Sequence, residues 1–189
     1  MILASASPRR QELLAAAGFS LTIEPADIDE TRMPSESPCE LVGRLATQKA
    51  QASLAAHGPL GAGETLLAAD TIVWTGDDVL GKPIDQQDAR RMLAELSGKT
   101  HHVSTGVCLV RATADGTCTT RTFVETTAVT FRTLSTDEIN AYVATGEPMD
   151  KAGAYGIQGG AGRFVERLDG DYDNVVGLPV ARVLEELGR

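Results

Sequence analysis

Residues 101–111 read HHVSTGVCLVR and residues 118–131 read CTTRTFVETTAVTF, two long runs rich in β-branched and apolar side chains. Each predicts a long strand, and Ala114-Asp115-Gly116 between them predicts the turn of a hairpin. Upstream, strands and helices alternate. Met1–Ser5 predicts a short buried strand feeding a helix that begins at Pro8, and Leu21–Ile23 a second strand. Leu66–Trp74 is a dense apolar run broken only by Asp70 and Thr71, which predicts a central strand. A hairpin inside a βα-alternating chain implies an α/β fold with a mixed sheet and flanking helices.

The helix ends are written locally. Ser7 is an N-cap residue with Pro8 at the first helical position, Leu13, Leu14 and Ala17 supply an apolar face, and Gly18 a stop. Ser37-Pro38-Cys39-Glu40 is a capping box that opens a helix running to about Ala56, closed by His57-Gly58-Pro59. Asp85 caps a helix through Leu96 with Ala89, Met92, Leu93 and Leu96 on one face, closed by Gly98. Ser135-Thr136-Asp137-Glu138 opens another that stops before Gly146. The glycine-rich stretch 146–162 carries no clear period. A strand is expected around Phe164–Arg167 and a last helix after Pro179. No repeat, low-complexity tract or linker interrupts the chain, so residues 1–189 suit one domain, or two lobes sharing a core.

Composition narrows the function. A net charge of −9 argues against general nucleic-acid binding, which needs a basic face, but not against a small anionic ligand. With aromatics at only 4%, the core is expected to rest on Leu, Val and Ala. Cys39, Cys108 and Cys118 form no Cys-x-x-Cys pair, so neither a disulfide framework nor a zinc site is expected, and a reducing cytoplasm is. The first residues lack the pattern of a signal peptide, and no run approaches the roughly 18 apolar residues of a membrane span.

Several polar residues stand where they are costly. Arg9 and Arg10 occupy the first turn of the first helix, where the dipole disfavours cations by a few tenths of a kcal/mol. Both can extend into solvent, or an anion on the free N–H groups can reverse that sign. Asp70 lies inside an apolar strand and needs an ion pair, a metal or an exposed strand end. Lys49 follows Leu41 and Leu45 on the core-facing stripe of its helix. It either snorkels to an edge or holds its ammonium at a cleft rim for a phosphate. Lys82 sits in the rigid turn Gly81-Lys82-Pro83. Asp27, Asp29 and Glu30 form an acidic loop that is either solvated or, with Asp70, a source of oxygen ligands for magnesium or manganese. Cations and carboxylates at element ends fit a triphosphate with a metal better than any other ligand class. No Walker loop is present. His57, His101 and His102 lack ligand spacing, and one of the adjacent pair can simply face solvent. No Gly-x-Ser-x-Gly elbow occurs. Cys108, inside a strand, reads as an inert core thiol.

These residues, in this order, resemble the Maf family of nucleoside triphosphate pyrophosphatases almost end to end. The matching pieces are Ser5-Ala6-Ser7-Pro8-Arg9-Arg10, Asp29-Glu30, Arg44-Leu45-Ala46 with Lys49-Ala50, Ala69-Asp70-Thr71-Ile72-Val73, Gly81-Lys82-Pro83 and Leu96-Ser97-Gly98. Downstream they continue with Gly146-Glu147-Pro148, Asp150–Gly159 and Asn174–Pro179. Tyr155-Gly156-Ile157-Gln158-Gly159 is similar to the dTTP/UTP-hydrolysing branch. The resemblance implies two lobes around a cleft, like inosine triphosphatases, and in many members a homodimer. It implies hydrolysis of dTTP and UTP to the monophosphate and pyrophosphate, with a divalent metal (Mg or Mn). Asp70 is then the catalytic base. Ser7, Arg9, Arg10, Lys49, Thr71, Lys82 and Gln158 bind substrate, with Arg9, Thr71 and Gln158 at specificity positions. Glu30 and Asp70 are the candidate metal ligands, and whether Asp70 is base, ligand or both stays open. The competing expectations are a pyrophosphatase for another, modified nucleotide and a nucleotide-sensing binding protein without turnover. The binding protein would need the cations but not the carboxylates.

Overall fold

The computed structural model describes residues 1–114 and 116–189. The chain forms β1 (Ile2–Leu3), α1 (Pro8–Ala16), β2 (Thr22–Ile23), α2 (Pro38–His57), β3 (Thr65–Thr75), β4 (Asp78–Leu80), α3 (Gln86–Leu96), β5 (Thr100–Ala112), β6 (Cys118–Phe131) and α4 (Thr136–Ala144). Three short 3₁₀ turns follow, then β7 (Val165–Asp169), α5 (Tyr172–Val176) and α6 (Val180–Leu187). The strands build a mixed seven-stranded sheet in the order β2-β1-β3-β5-β6-β7, with β4 on β3. β1 runs parallel to β2 and β3, whereas β4 and β7 run antiparallel to their partners. The expected α/β class with a mixed sheet and flanking helices is therefore what the chain adopts. The hairpin turn expected at Ala114-Asp115-Gly116 rests on Asp115, which lies outside the described residues.

The caps hold as the sequence predicts. Ser7 accepts from the Arg10 amide, Asp85 accepts from that of Asp88, and both capping boxes close reciprocally. Two compact units result, one of residues 1–70, 105–125 and 177–189, the other of 71–104 and 126–176.

In the first unit, β3 is apolar on both faces because helices cover both. Leu67 and Ala69 pack with Leu14 of α1 and with Val180 and Val183 of α6. Leu66 and Ala68, on the alternate face, pack with Ala46 and Ala50 of α2. This core is the Leu–Val–Ala kind that the composition predicts. The second unit departs from it. Phe131, Tyr142, Tyr155 and Phe164 concentrate the scarce aromatics in one cluster with the apolar stripe of α3. Their rings meet edge to face at 4.8–6.0 Å between centroids.

The two adjacent histidines differ in burial. His101 is fully buried, with Nε2 2.8 Å from the Tyr155 hydroxyl, and His102 stacks on Trp74 at 4.4 Å. His102, on the opposite face of β5, is half-buried and is the ring of the pair that keeps partial access to solvent. Burial, with a lesser push from His102, holds the His101 pKa down to about 4. The neutral ring's contribution to stability is thus fully present above about pH 6.5 and is lost as pH falls toward 4. A displacement of that size corresponds to about 3 kcal/mol. Urea unfolding at pH 7 and pH 4.5 should show this loss in the wild type, and His101→Phe should show a distinctly shallower pH slope. Equal slopes would remove His101 as the cause.

Candidate functional site

The first unit gathers most of the predicted residues. Ser7 Oγ lies 3.5 Å from the Arg10 amide and starts α1. That places the Arg10 side chain against the Ser5 turn and the segment before α6. Its Nε donates to the Gly177 carbonyl at 2.9 Å, and Nη1 donates to Ser5 Oγ at 3.1 Å. Desolvation lowers the Arg10 pKa from the usual arginine value, Asp70 and Glu30 pull the other way, and Arg9 adds to the lowering. Arginine keeps its charge under such a shift. The guanidinium is therefore a fixed cation, with the Gly177 carbonyl and the Ser5 hydroxyl among its partners. Arg9, half-buried one residue earlier, has no hydrogen-bond or ion-pair partner among the described residues.

Asp70 ends the first unit's share of β3 and is 8% exposed. The sequence asks what compensates a carboxylate there, and the answer is Lys49. Its ammonium lies 2.6 Å from Asp70 Oδ1 and 2.6 Å from Glu30 Oε1. Lys49 is on the core-facing stripe of α2, as the spacing predicts. It does not snorkel out into solvent but bridges two carboxylates. The acidic loop divides its labour. Asp29 accepts from the Thr31 amide at 2.9 Å and shapes the turn, and hydrogen bonds from the Thr31 side chain and then its amide lower the Asp29 pKa, while Glu30 reaches Lys49. Of the predicted residues, Arg10, Glu30, Lys49 and Asp70 thus form one electrostatic cluster, with Ser7 supporting it.

The second unit holds the other three. Thr71 is half-buried on β3, and Lys82 and Gln158 are exposed. The turn carrying Lys82 is tied down by the Gly153 amide, which donates to the Gly81 carbonyl at 3.1 Å.

Gln158 rides on a loop whose organisers the residue types alone do not reveal. Tyr142 Oη donates to Glu147 Oε1 at 2.9 Å and accepts from the Gly156 amide at 3.2 Å. Glu147 Oε2 accepts from the Gly160 amide at 3.0 Å. A side chain at Gly159 would collide with the Glu147 carboxylate and force it off the loop amide it holds. The quoted Gly146-Glu147-Pro148 motif was the available signal. Arg44 is a second organiser whose partners its residue type alone does not reveal. It clamps the loop before α2 by donating to both Glu36 oxygens, at 2.6 and 2.9 Å, and to the Thr31 carbonyl at 3.1 Å. A depression of about 590 Å³ beside this clamp, lined by Met33, Glu36, Arg44, Thr47 and Thr122, contains none of the predicted site residues.

No group of three or more metal-ligating side chains converges among the described residues. Glu30 and Asp70 nonetheless aim one oxygen each at a single cationic point. Hard oxygen donors in that number suit magnesium, which takes one or two carboxylates and completes its shell with phosphate oxygens and water. The donor set fits the expected metal. Cys108 is buried and burial raises its thiol pKa, as an inert core thiol requires.

An α/β scaffold that brings a fixed arginine from the first turn of α1, a lysine from α2, a carboxylate from β3 and another from the loop before α2 into one cluster defines a candidate site for acid–base chemistry on an anionic ligand. The model of the Maf-like protein family matches residues 1–189, and the chain belongs to that family. It is 49% identical over 189 residues to the dTTP/UTP pyrophosphatase of Geobacter sulfurreducens, covering 100% of this chain and 95% of that one. The dTTP/UTP pyrophosphatase of Anaeromyxobacter dehalogenans strain 2CP-C is 50% identical over 189 residues, with 100% and 93% covered. Among solved structures, the Staphylococcus aureus Ham1 protein aligns with 69% of this chain and 70% of its own at 14% identity, with a TM-score of 0.41.

Proposed function

We propose that this protein is a nucleoside triphosphate pyrophosphatase that hydrolyses dTTP and UTP to the monophosphate and pyrophosphate. The observation that carries the chemistry is the Arg10–Asp70–Lys49–Glu30 cluster. The substrate choice rests on the relatives' names and on Gln158. Asp70 accepts the proton of a water attacking the α-phosphorus, and the α–β bridging oxygen leaves with pyrophosphate. Arg10 and Lys82 hold phosphate oxygens, and Lys49 exchanges its carboxylates for phosphate when substrate enters. Arg9 offers its guanidinium to the same anion at the start of α1, next to the Ser7 cap. Glu30 and Asp70 would hold a magnesium or manganese ion, which when bound offsets negative charge on the phosphates.

Gln158 reads the base, with Thr71 beside it in role. A carboxamide offers one acceptor and one donor group, which suits the edge of uracil or thymine. Gln158→Glu deletes the donor and adds charge, so dTTP and UTP hydrolysis should fall much more than hydrolysis of a poor substrate. An unchanged preference order, measured as kcat/KM across nucleotides, would overturn the assignment. Among the described residues no helix is long and apolar enough to cross a membrane, and none of the three cysteines is joined in a disulfide. A cytoplasmic setting fits both. The proposal as a whole is tested by assaying pyrophosphate release from a panel of nucleoside triphosphates with magnesium or manganese. Release led by dTTP and UTP is expected, and binding without turnover would point to a sensor instead.

A further inference from the structure

Lys49 does more than neutralise Asp70. Two carboxylate oxygens on different segments, Glu30 Oε1 in the loop and Asp70 Oδ1 on β3, each lie 2.6 Å from one ammonium nitrogen. Lys49 and Asp70 side chains are both 12% exposed, whereas Glu30 is 59% exposed. The inner half of this bridge is therefore shielded from water, and its outer half is open. A magnesium ion binds oxygens at about 2.0–2.1 Å. Drawn to the same two oxygens, it would meet the ammonium at close range and with like charge. The bridge is thus an internal cation standing in the position that a divalent ion needs.

We propose that Lys49 excludes free divalent metal from the nucleotide-free protein, so that metal and triphosphate enter together, the phosphates drawing Lys49 away as they complete the metal's shell. This rests on the function proposed above. It adds an order of assembly to that function. The lysine's long, flexible stem permits the exchange, because its three N–H donors serve phosphate oxygens as well as carboxylates. Arg10 cannot take over the metal-excluding role, since its guanidinium is fixed on Gly177 and Ser5.

The test measures manganese(II) binding without nucleotide, by loss of the free ion's paramagnetic resonance signal. Wild-type protein should show little binding at micromolar manganese. Micromolar binding by the wild type would overturn the proposal without any variant. Lys49→Met and Lys49→Gln, checked for folding by circular dichroism, should bind manganese at least about tenfold tighter, the scale on which neighbours of a metal site change affinity. Adding Glu30→Gln to either should cancel that gain. Unchanged or weaker binding in a folded Lys49 variant overturns the proposal. The two failures are separable. Pyrophosphate release by wild type with no gain in the variants removes the metal exclusion and leaves the function standing. A gain in the variants with no release by wild type does the reverse.

Discussion

Asp70→Asn should lower pyrophosphate release from dTTP by about 10²–10⁴-fold, the usual contribution of a positioned general base. The amide keeps the size of the carboxylate and can still accept from Lys49, but it takes no proton and carries no charge. Folding should survive because Lys49 keeps Glu30 at 2.6 Å, so removing Asp70's charge does not strand a buried ammonium. A loss of about 1–2 kcal/mol is expected, or a melting shift of several degrees for a chain of this length. The decisive readout is kcat on protein shown to be folded at the assay temperature. Turnover above about a tenth of wild type would contradict the role of Asp70 as base.

Gly106→Ala should be the most damaging small substitution for stability, at about 4 kcal/mol or more. Gly106 lies in β5 where α2 crosses it backbone to backbone. A Cβ there would overlap the Val42 carbonyl and approach the Gly43 amide at 2.8 Å. Neither neighbour is a side chain that can swing aside, so either the α2 hydrogen bonds or the strand must give. Since α2 carries Lys49, the candidate site should loosen with the core. Gly43→Ala is the internal control, because its Cβ would meet only a Val124 methyl at 3.5 Å, an ordinary contact. Replacing a helical glycine by alanine there should be neutral or mildly stabilising. Denaturant unfolding of both variants measures the contrast. A loss below about 1 kcal/mol for Gly106→Ala would show that the helix can move off the strand.

What was legible in the sequence was local. Ser7, Asp85 and the Ser37 and Ser135 capping boxes fix helix starts through bonds spanning three residues, so the residues themselves announce them. The stripe Ala89, Met92, Leu93 and Leu96 likewise announces the buried face of α3. What escaped depended on distant partners. β4 is three residues long, and a polar Gly-Asp-Asp stretch hides it. Only its pairing of Leu80 with Val73, reached through Gly76 at φ 57°, makes it a strand. α5 is five residues held by Asp171, which accepts from the Asp173 amide, and by Asn174, whose amide donates to the Val103 carbonyl at 3.0 Å. In the site, the helical stripe predicts that Lys49 is inward. It cannot predict that carboxylates 19 positions before it and 21 after it meet on its ammonium.

Hydrolysis of dTTP in water enriched in heavy oxygen tests the proposed chemistry most directly. Attack at the α-phosphorus places the label in thymidine monophosphate and leaves pyrophosphate unlabelled, and mass spectrometry of the two products reads this at once. Label in orthophosphate or in pyrophosphate, or a nucleoside diphosphate as product, would contradict it.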